Sequence, residues 1–394
     1  MNSLIIALSL VSVFLVYLVS DYRGSRNIRL RSGGEYPNRY LRARELIVQE
    51  FDSEGHLWAS RGLVLYRKRK GEDKFTRIAH VPTGASYLWL NNFTLFRKFT
   101  NKPECLELAI TSNGNICVLS AGYMWLSSKK RTAFKKTMKL RHYGFGVGRG
   151  ILSNGLLTAE GNQVYFGEYW RNTEREVVHI YRSPDGGENW EVVYTYEPGR
   201  IRHIHGLQQD PFTDRLWIST GDFDDEAKIG WSDDNFTTIK HIGTGSQAWR
   251  TTQLVFTEEA VYWGTDTGSV ELAGIYRWDR LSREVSRVFS SPGAILFGTR
   301  LPHGSLVFST DREGFENEKD KRTRLYVFKE GGAVSELEFG TWKHWKKGLK
   351  YSFAMLRIPR KQDHGPLALS VINQEEYPAG ELILIEEKDL LAFK

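Results

Sequence analysis

Arg250–Thr257 (RTTQLVFT), Ala260–Asp266 (AVYWGTD), Gly274–Asp279 (GIYRWD) and Arg283–Ser290 (REVSRVFS) are four short runs rich in β-branched and aromatic residues, separated by polar turn formers. Such runs read as strands, and their spacing reads as consecutive hairpins of one antiparallel sheet. The same order recurs at 151–196, 202–243, 295–339 and 352–393. Each unit carries a short apolar phrase that runs into a polar turn: Leu65-Tyr66, Met124-Trp125, Ile180-Tyr181, Ile229-Gly230, Ile275-Tyr276, Leu325-Tyr326 and, more weakly, Leu382-Ile383. One four-stranded sheet cannot bury both faces, so units repeated at about fifty residues must pack around a common axis. The expectation is an all-β chain whose residues 42–394 form a single β-propeller of four-stranded blades. Seven blades fit the length; six is the alternative if the first or last unit is a closing strand.

Between the third and fourth strands of the 151–196 unit stands Ser183-Pro184-Asp185-Gly186-Gly187-Glu188-Asn189-Trp190, the pattern Ser-x-Asp-x-Gly-x-x-Trp. Ser and Asp side chains can accept turn amides, the glycines permit left-handed dihedrals, and Trp190 can reach back over the sheet. This is the Asp box, and through it the chain resembles the sialidase-like (BNR-repeat) propellers. A degraded copy follows at Ser232–Phe236, with Phe in the tryptophan's place, and Tyr66–Phe75 is a fainter echo. The resemblance implies that Asp185 is a turn residue on the face opposite the binding site. It implies less about chemistry, because Asp-box propellers include hydrolases, lyase-like relatives and binding proteins. The chain also departs from the sialidase pattern: Arg357-Ile358-Pro359 lies in the last unit, not the first, and no Tyr nucleophile with a partner Glu can be assigned.

The chain has 394 residues with 41% hydrophobic and 13% aromatic content, enough to build a large core and too apolar for a disordered chain. Residues 1–150 carry 25 Lys and Arg against 10 Asp and Glu, while the remainder carries 29 against 37, so the net charge of +7 hides a basic front and an acidic back. No zinc finger or Walker loop is present, and the glycine-rich GFGVGRG (Gly144–Gly150) lacks a following helix pattern, so no nucleic-acid partner is expected. Cys105 and Cys117 exclude a disulfide scaffold but could form one bridge.

Leu4–Val19 is a nearly unbroken apolar run without a basic residue before it or a small-residue cleavage pattern after it. Residues 1–20 therefore read as a hydrophobic helix serving as membrane anchor or signal segment, and 21–41 as a solvated linker. Arg23, Arg26, Arg29 and Arg31 after the run would hold that flank in the cytoplasm, whereas a glycan-directed propeller belongs outside it. The expectation adopted is a single-pass protein with an extracytoplasmic propeller.

Second strands ending in a carboxylate would aim Glu168, Asp222, Asp266 and Asp311 at one funnel. Loops entering the first strands add Arg202, His203, His205, Gln247, Trp249, Arg250 and, in the sixth unit, Arg300. Strand alternation places His203 and His205 on one side, as a base pair or as two metal ligands. Glu168 and Asp222 are read as acid/base or nucleophile with the two histidines, all four catalytic. Arg202, Arg250, Arg300 and Gln247 would hold substrate carboxylates, beside Asp266 and Asp311. Tyr169, Trp170 and Trp249 would stack on sugar rings. The expected activity is a membrane-tethered glycoside hydrolase-like enzyme on an acidic polysaccharide. A polysaccharide lyase using the same pocket, or a non-catalytic glycan-binding or scaffold propeller of an export or assembly system, are the alternatives. No cofactor is assigned, with a divalent metal left open.

Overall fold

The computed structural model describes residues 26–34, 39–82, 105–128, 133–143, 155–315, 318, 320–343, 353–377 and 380–390, with positions 9, 11–16 and 19 nearer the amino end. The sequence Gly144–Gly150 and half of Leu4–Val19 fall outside these residues. Among the described residues no helix is long and apolar enough to cross a membrane, so the expected amino-terminal hydrophobic helix is not supported.

Seven antiparallel sheets form the propeller, each with four strands A to D running outward from the axis, consecutive in the chain in blades 1 to 6. The A strands are Ile47–Phe51, Cys105–Ile110, Leu156–Ala159, Ile204–Gln209, Leu254–Phe256, Ile295–Arg300 and Met355–Arg357, numbering blades 1 to 7. The last blade differs from expectation. Residues 352–393 supply its A, B and C strands, but its fourth strand is Tyr40–Arg44 from the amino end, paired antiparallel to Glu381–Ile385. The stretch read as linker also carries strands: Asn27–Arg29 adds a fifth strand to blade 1 and Arg31–Gly33 adds one to blade 7.

The recurring apolar phrase has a backbone meaning. At Leu65/Tyr66, Met124/Trp125, Ile180/Tyr181, Ile229/Gly230 and Ile275/Tyr276 the register between strands C and D shifts at that pair. Such irregularities sharpen the local twist. Blade 6 shifts two residues earlier, at Thr323/Arg324.

Blades pack through apolar side chains shared across their faces, such as Tyr165, Val178 and Ile180 of blade 3 with Ile204, Leu207 and Ile218 of blade 4. Neighbouring blades approach closely at the end of strand B. A Cβ on Gly167 would lie 2.7 Å from Ile204 Cγ2, and one on Gly264 would lie 2.1 Å from Ile295 Cγ2. Backbone bonds accompany both contacts: Ile204 N–H donates to the Glu168 carbonyl at 3.0 Å, and Ile295 N–H donates to that of Thr265 at 2.9 Å.

The turn Ser183–Trp190 is held as its spacing predicts. Asp185 accepts from the amides of Glu188 and Asn189 at 3.1 and 3.0 Å, and Ser183 Oγ accepts from Gly187 N–H at 2.7 Å. Trp190 donates to Thr137 of the neighbouring blade at 3.2 Å. The copy at Ser232 needs correction: Phe236 stands where Gly187 does, not at the tryptophan. Its N–H donates to Ser232 Oγ at 2.8 Å, with φ of 64° in the left-handed region and the ring wholly buried against Tyr165. Cys117 is free and buried, its thiol pushed up to about 12 by burial. Backbone register sets it opposite Ala109 and sets Cys105 opposite Ser120.

The lower part of the axis holds a buried charge network. Arg360 contacts Glu107 at 2.8 Å, Glu107 accepts from Leu156 N–H at 3.0 Å, and Glu50 accepts from Ile110 N–H at 2.5 Å. Burial outweighs the attraction of Arg360 and lifts both carboxyls from 4.5 to about 7.

Gly264→Ala is expected to lower stability by about 1–3 kcal/mol, because the new methyl meets both Ile295 Cγ2 and its carbonyl oxygen, read as a fall in Tm. The native state favours protonated Glu50 and Glu107, so their contribution declines as pH rises from 4.5 to about 7. A calorimetric Tm–pH series should therefore show a shallower decline across that window for Glu107→Gln than for the unmodified chain.

Candidate functional site

The upper face collects the starts of the A strands and the exits of the B strands. His203 precedes Ile204–Gln209 and His205 lies within it, both nearly fully buried. Alternation sends Ile204 against Gly167 and turns the two imidazoles together. His203 Nδ1 lies 2.7 Å from the Trp170 carbonyl, and His205 Nδ1 lies 3.2 Å from that of Thr251. A carbonyl oxygen only accepts, so each Nδ1 carries the proton and each Nε2 presents a lone pair.

Those two Nε2 atoms are 3.2 Å apart, and Asp222 Oδ1 lies 3.4 Å from His203 Nε2 and 3.3 Å from His205 Nε2. Three acceptors thus form a nearly equilateral triangle with no hydrogen between them. Burial lowers the His203 pKa, although the neighbouring Asp222 carboxylate opposes the shift. Arg202 and Arg250 lie against Asp222 and favour its charged form. Three lone pairs this close repel one another unless a cation sits among them. Edges of 3.2–3.4 Å match ligand separations around a divalent ion bound at about 2.1 Å. His203, His205 and Asp222 could hold a metal ion, and among the described residues they are the one such group.

Further groups converge on Asp222. Arg202 Nη1 donates to its Oδ2 at 2.7 Å, and Arg250 Nη2 bridges its Oδ1 at 3.4 Å to Asp266 Oδ2 at 3.1 Å. Gln247 Nε2 donates to the Asp222 carbonyl at 3.1 Å. The Tyr169 ring lies 4.0 Å from that of His203. Of the expected site residues, Arg202, His203, His205, Asp222, Gln247, Arg250, Asp266 and Tyr169 are therefore brought together.

Others are placed elsewhere. The Glu168 carboxylate accepts from His179 N–H at 2.9 Å and Tyr181 Oη at 3.2 Å and pairs with Arg141 at 3.3 Å. Tyr169 turns toward the histidines, so its neighbour Glu168 turns away and ties blades 2 and 3. Arg300 ends its A strand instead of starting it, so it lies on the lower face, over the Phe212 ring at 5.6 Å. There it lines a cavity of about 620 Å³ with Glu50, Lys361 and Arg360. Trp249 stacks on Trp263 and fills the space above Gly243, and Trp170 is buried against His142. Asp311 stays near Asp266 at the upper end but is wholly buried, beside Glu313.

Sequence reading missed Glu226, which receives Arg202 N–H at 3.1 Å and pairs with Arg175, and it missed Glu313. The alternation Asp311-x-Glu313 past a strand end was the available signal for the latter. The carbonyls of Trp170 and Thr251 have none, since any residue supplies a carbonyl.

No family model matches the chain, and no curated protein does. Among solved structures, an oligogalacturonate lyase in complex with manganese is similar with a TM-score of 0.56 at 11% identity, over 92% of this chain and 98% of that one. An ancestral GH74 enzyme gives 0.51 at 10% identity, over 84% of this chain and 44% of that one. The extracellular domain of a one-component system from B. thetaiotaomicron gives 0.50 at 10%, over 90% of this chain and 40% of that one. The chain thus spans less than half the length of the latter two. At these identities the likeness shows the seven-bladed fold, which includes carbohydrate-active propellers.

Manganese added to the purified protein should bind at one site by calorimetry, and His205→Ala should weaken it by more than about 100-fold. Absence of binding to the unmodified chain would contradict the cation reading.

Proposed function

We propose that the chain is a carbohydrate-active enzyme that cleaves an acidic polysaccharide or oligosaccharide by β-elimination, with His203, His205 and Asp222 holding a divalent cation. The triangle of three lone pairs carries this reading. A bound cation would supply charge neutralisation for a sugar carboxylate, which acidifies the proton α to it. The chain's own groups do the rest. Arg202 and Arg250 keep Asp222 ionised and oriented, and Tyr169 backs the His203 ring. Elimination breaks the C5–H bond and the C4–O bond of a uronate and leaves a C4–C5 double bond.

The two-carboxylate hydrolase expected first draws less support, because Glu168 spends its carboxylate on Arg141, His179 and Tyr181. Oligogalacturonate lyase with manganese and a GH74 enzyme among the structural neighbours are consistent with glycan chemistry on this fold. The proposal keeps Leu4–Val19 as the segment that tethers an extracytoplasmic propeller to the membrane.

The test incubates the full chain and manganese with a panel of acidic polysaccharides, following near-ultraviolet absorbance and reducing ends. The expected result is an unsaturated, absorbing product that chelator abolishes and His205→Ala reduces by about 10²-fold or more. New reducing ends without absorbance would replace the lyase with a hydrolase, and binding without product would replace both with a lectin-like role.

A further inference from the structure

Among the described residues Asp311 is the acid with both carboxylate oxygens buried and unpartnered. It follows strand B of blade 6, is wholly buried, and among the described residues neither carboxylate oxygen accepts a hydrogen bond from a fixed donor. The Arg312 guanidinium does not serve it: Nη1 donates to the Asp311 backbone carbonyl at 2.8 Å, and Nη2 lies 3.6 Å from Asp320. The side chain set against Asp311 is another carboxyl, that of Glu313. Two ionised carboxylates cannot share a buried site, but one proton between them turns repulsion into a hydrogen bond.

We propose that Asp311 and Glu313 form a proton-sharing carboxyl pair, with Glu313 as the proton-exchanging group of the upper-face site and Asp311 positioning it. The inference rests on the lyase reading for its substrate, a uronate-containing glycan. Glu313 is the half-buried, reachable member. It stands within the electrostatic reach of Arg250, Asp266, Glu318 and Tyr169, and Arg250 with Asp266 is the ion pair that continues to Asp222. Glu318 takes the Glu313 amide at 3.0 Å and the Gly314 amide at 2.9 Å, which fixes the loop.

One shared proton suffices for elimination. The C5–H electron pair becomes the C4–C5 π bond while its proton passes to the pair. The C4–O electron pair leaves with the glycosidic oxygen, which takes the proton the pair already held. The pair ends each cleavage as it began, and no redox partner is needed.

Burial raises Glu313 to about 7, against a lowering by the Asp311 hydrogen bond and by Arg250, and with further raising by Asp266 and Glu318. Asp311 is raised well above its ordinary value, by burial and then by Glu313, Asp266 and Glu318, and its hydrogen bond lowers Glu313, which makes Asp311 the donor of the pair.

Infrared difference spectra of the full chain should show a carboxylic-acid carbonyl band that disappears with a midpoint of about 7. Glu313→Gln should remove that band. Asp311→Ala should move the midpoint upward by deleting the donor, and Asp311→Asn, which retains one, should restore it. No titrating band near neutrality, a band that survives Glu313→Gln, or a midpoint indifferent to Asp311→Ala each overturns the pair. Because Glu313→Gln preserves volume at a half-buried position, and the unmodified chain is itself informative, misfolding of one variant does not blunt the test. A manganese titration on the same samples separates the two ideas. Bound manganese without the band refutes the pair alone, and the band without manganese binding refutes the cation reading alone. With turnover established, Glu313→Gln should lower kcat by about 10²–10⁴-fold and erase the near-neutral limb of its pH profile.

Discussion

Ring closure is the constraint on which everything else depends. Leu41, Arg42, Ala43 and Arg44 pair with Leu384, Ile383, Leu382 and Glu381, so strands from opposite ends of the chain share blade 7. Ion pairs from Arg42 and Arg44 to the buried Glu381 add charge to the same seam. Until that seam forms, blades 1 and 7 expose apolar faces, including Leu382 and Leu384, which in the closed ring pack with Leu46, Val48 and Ala59. Closure removes the open ends and converts an array of hairpins into a ring whose seven A strands point at one axis. The site is a consequence of that convergence, since its residues come from blades 3, 4, 5 and 6.

The convergence concentrates charge of both signs at the axis. At the upper end, Arg202 and Arg250 stand among Asp222, Asp266, Asp311 and Glu313, with the His203 and His205 rings against Asp222. At the lower end, Arg360 stands among Glu50 and Glu107. Side chains from seven directions have few ways to avoid each other near an axis, and buried carboxyls there are kept neutral or paired. Both ends are thus filled by the same physics, yet only the upper one leaves a triangle of unprotonated acceptors. The difference lies in two backbone carbonyls, of Trp170 and Thr251, which take the Nδ1 protons and leave the opposite nitrogens bare.

Much of the fold was legible because a blade is a local object. Four strands, a C–D bulge marked by pairs such as Ile275-Tyr276, and the Ser183–Trp190 turn all leave signals within one repeat. The seam was not legible, because nothing in Tyr40–Arg44 says which distant strand it will meet. The site was legible where alternation governs it, as for His203 with His205, and for the loop residues Asp222 and Arg250. It was misread where direction along a strand or side of a loop decides the outcome. Arg300 sits at the wrong end of its A strand, and Glu168 on the wrong side of Tyr169. Phe236 shows a subtler failure: its type matched the tryptophan's role, while its hydrogen bond to Ser232 places it at a glycine's.

The arrangement of the upper site is costly for a protein that only needs to stand. Acceptors within 3.4 Å of one another and a buried carboxyl that accepts from no fixed donor oppose folding, and apolar residues of similar volume would remove both penalties. The two features lie on different blades, 4 and 6, and Arg250 of blade 5 with Asp266 stands between them. In the elimination proposed above, each would answer a different need, a place for positive charge and a place for a mobile proton. Their separation by an ion pair, rather than their fusion into one acidic cluster, would let a cation settle at Asp222 without stripping a proton from the Asp311 pair.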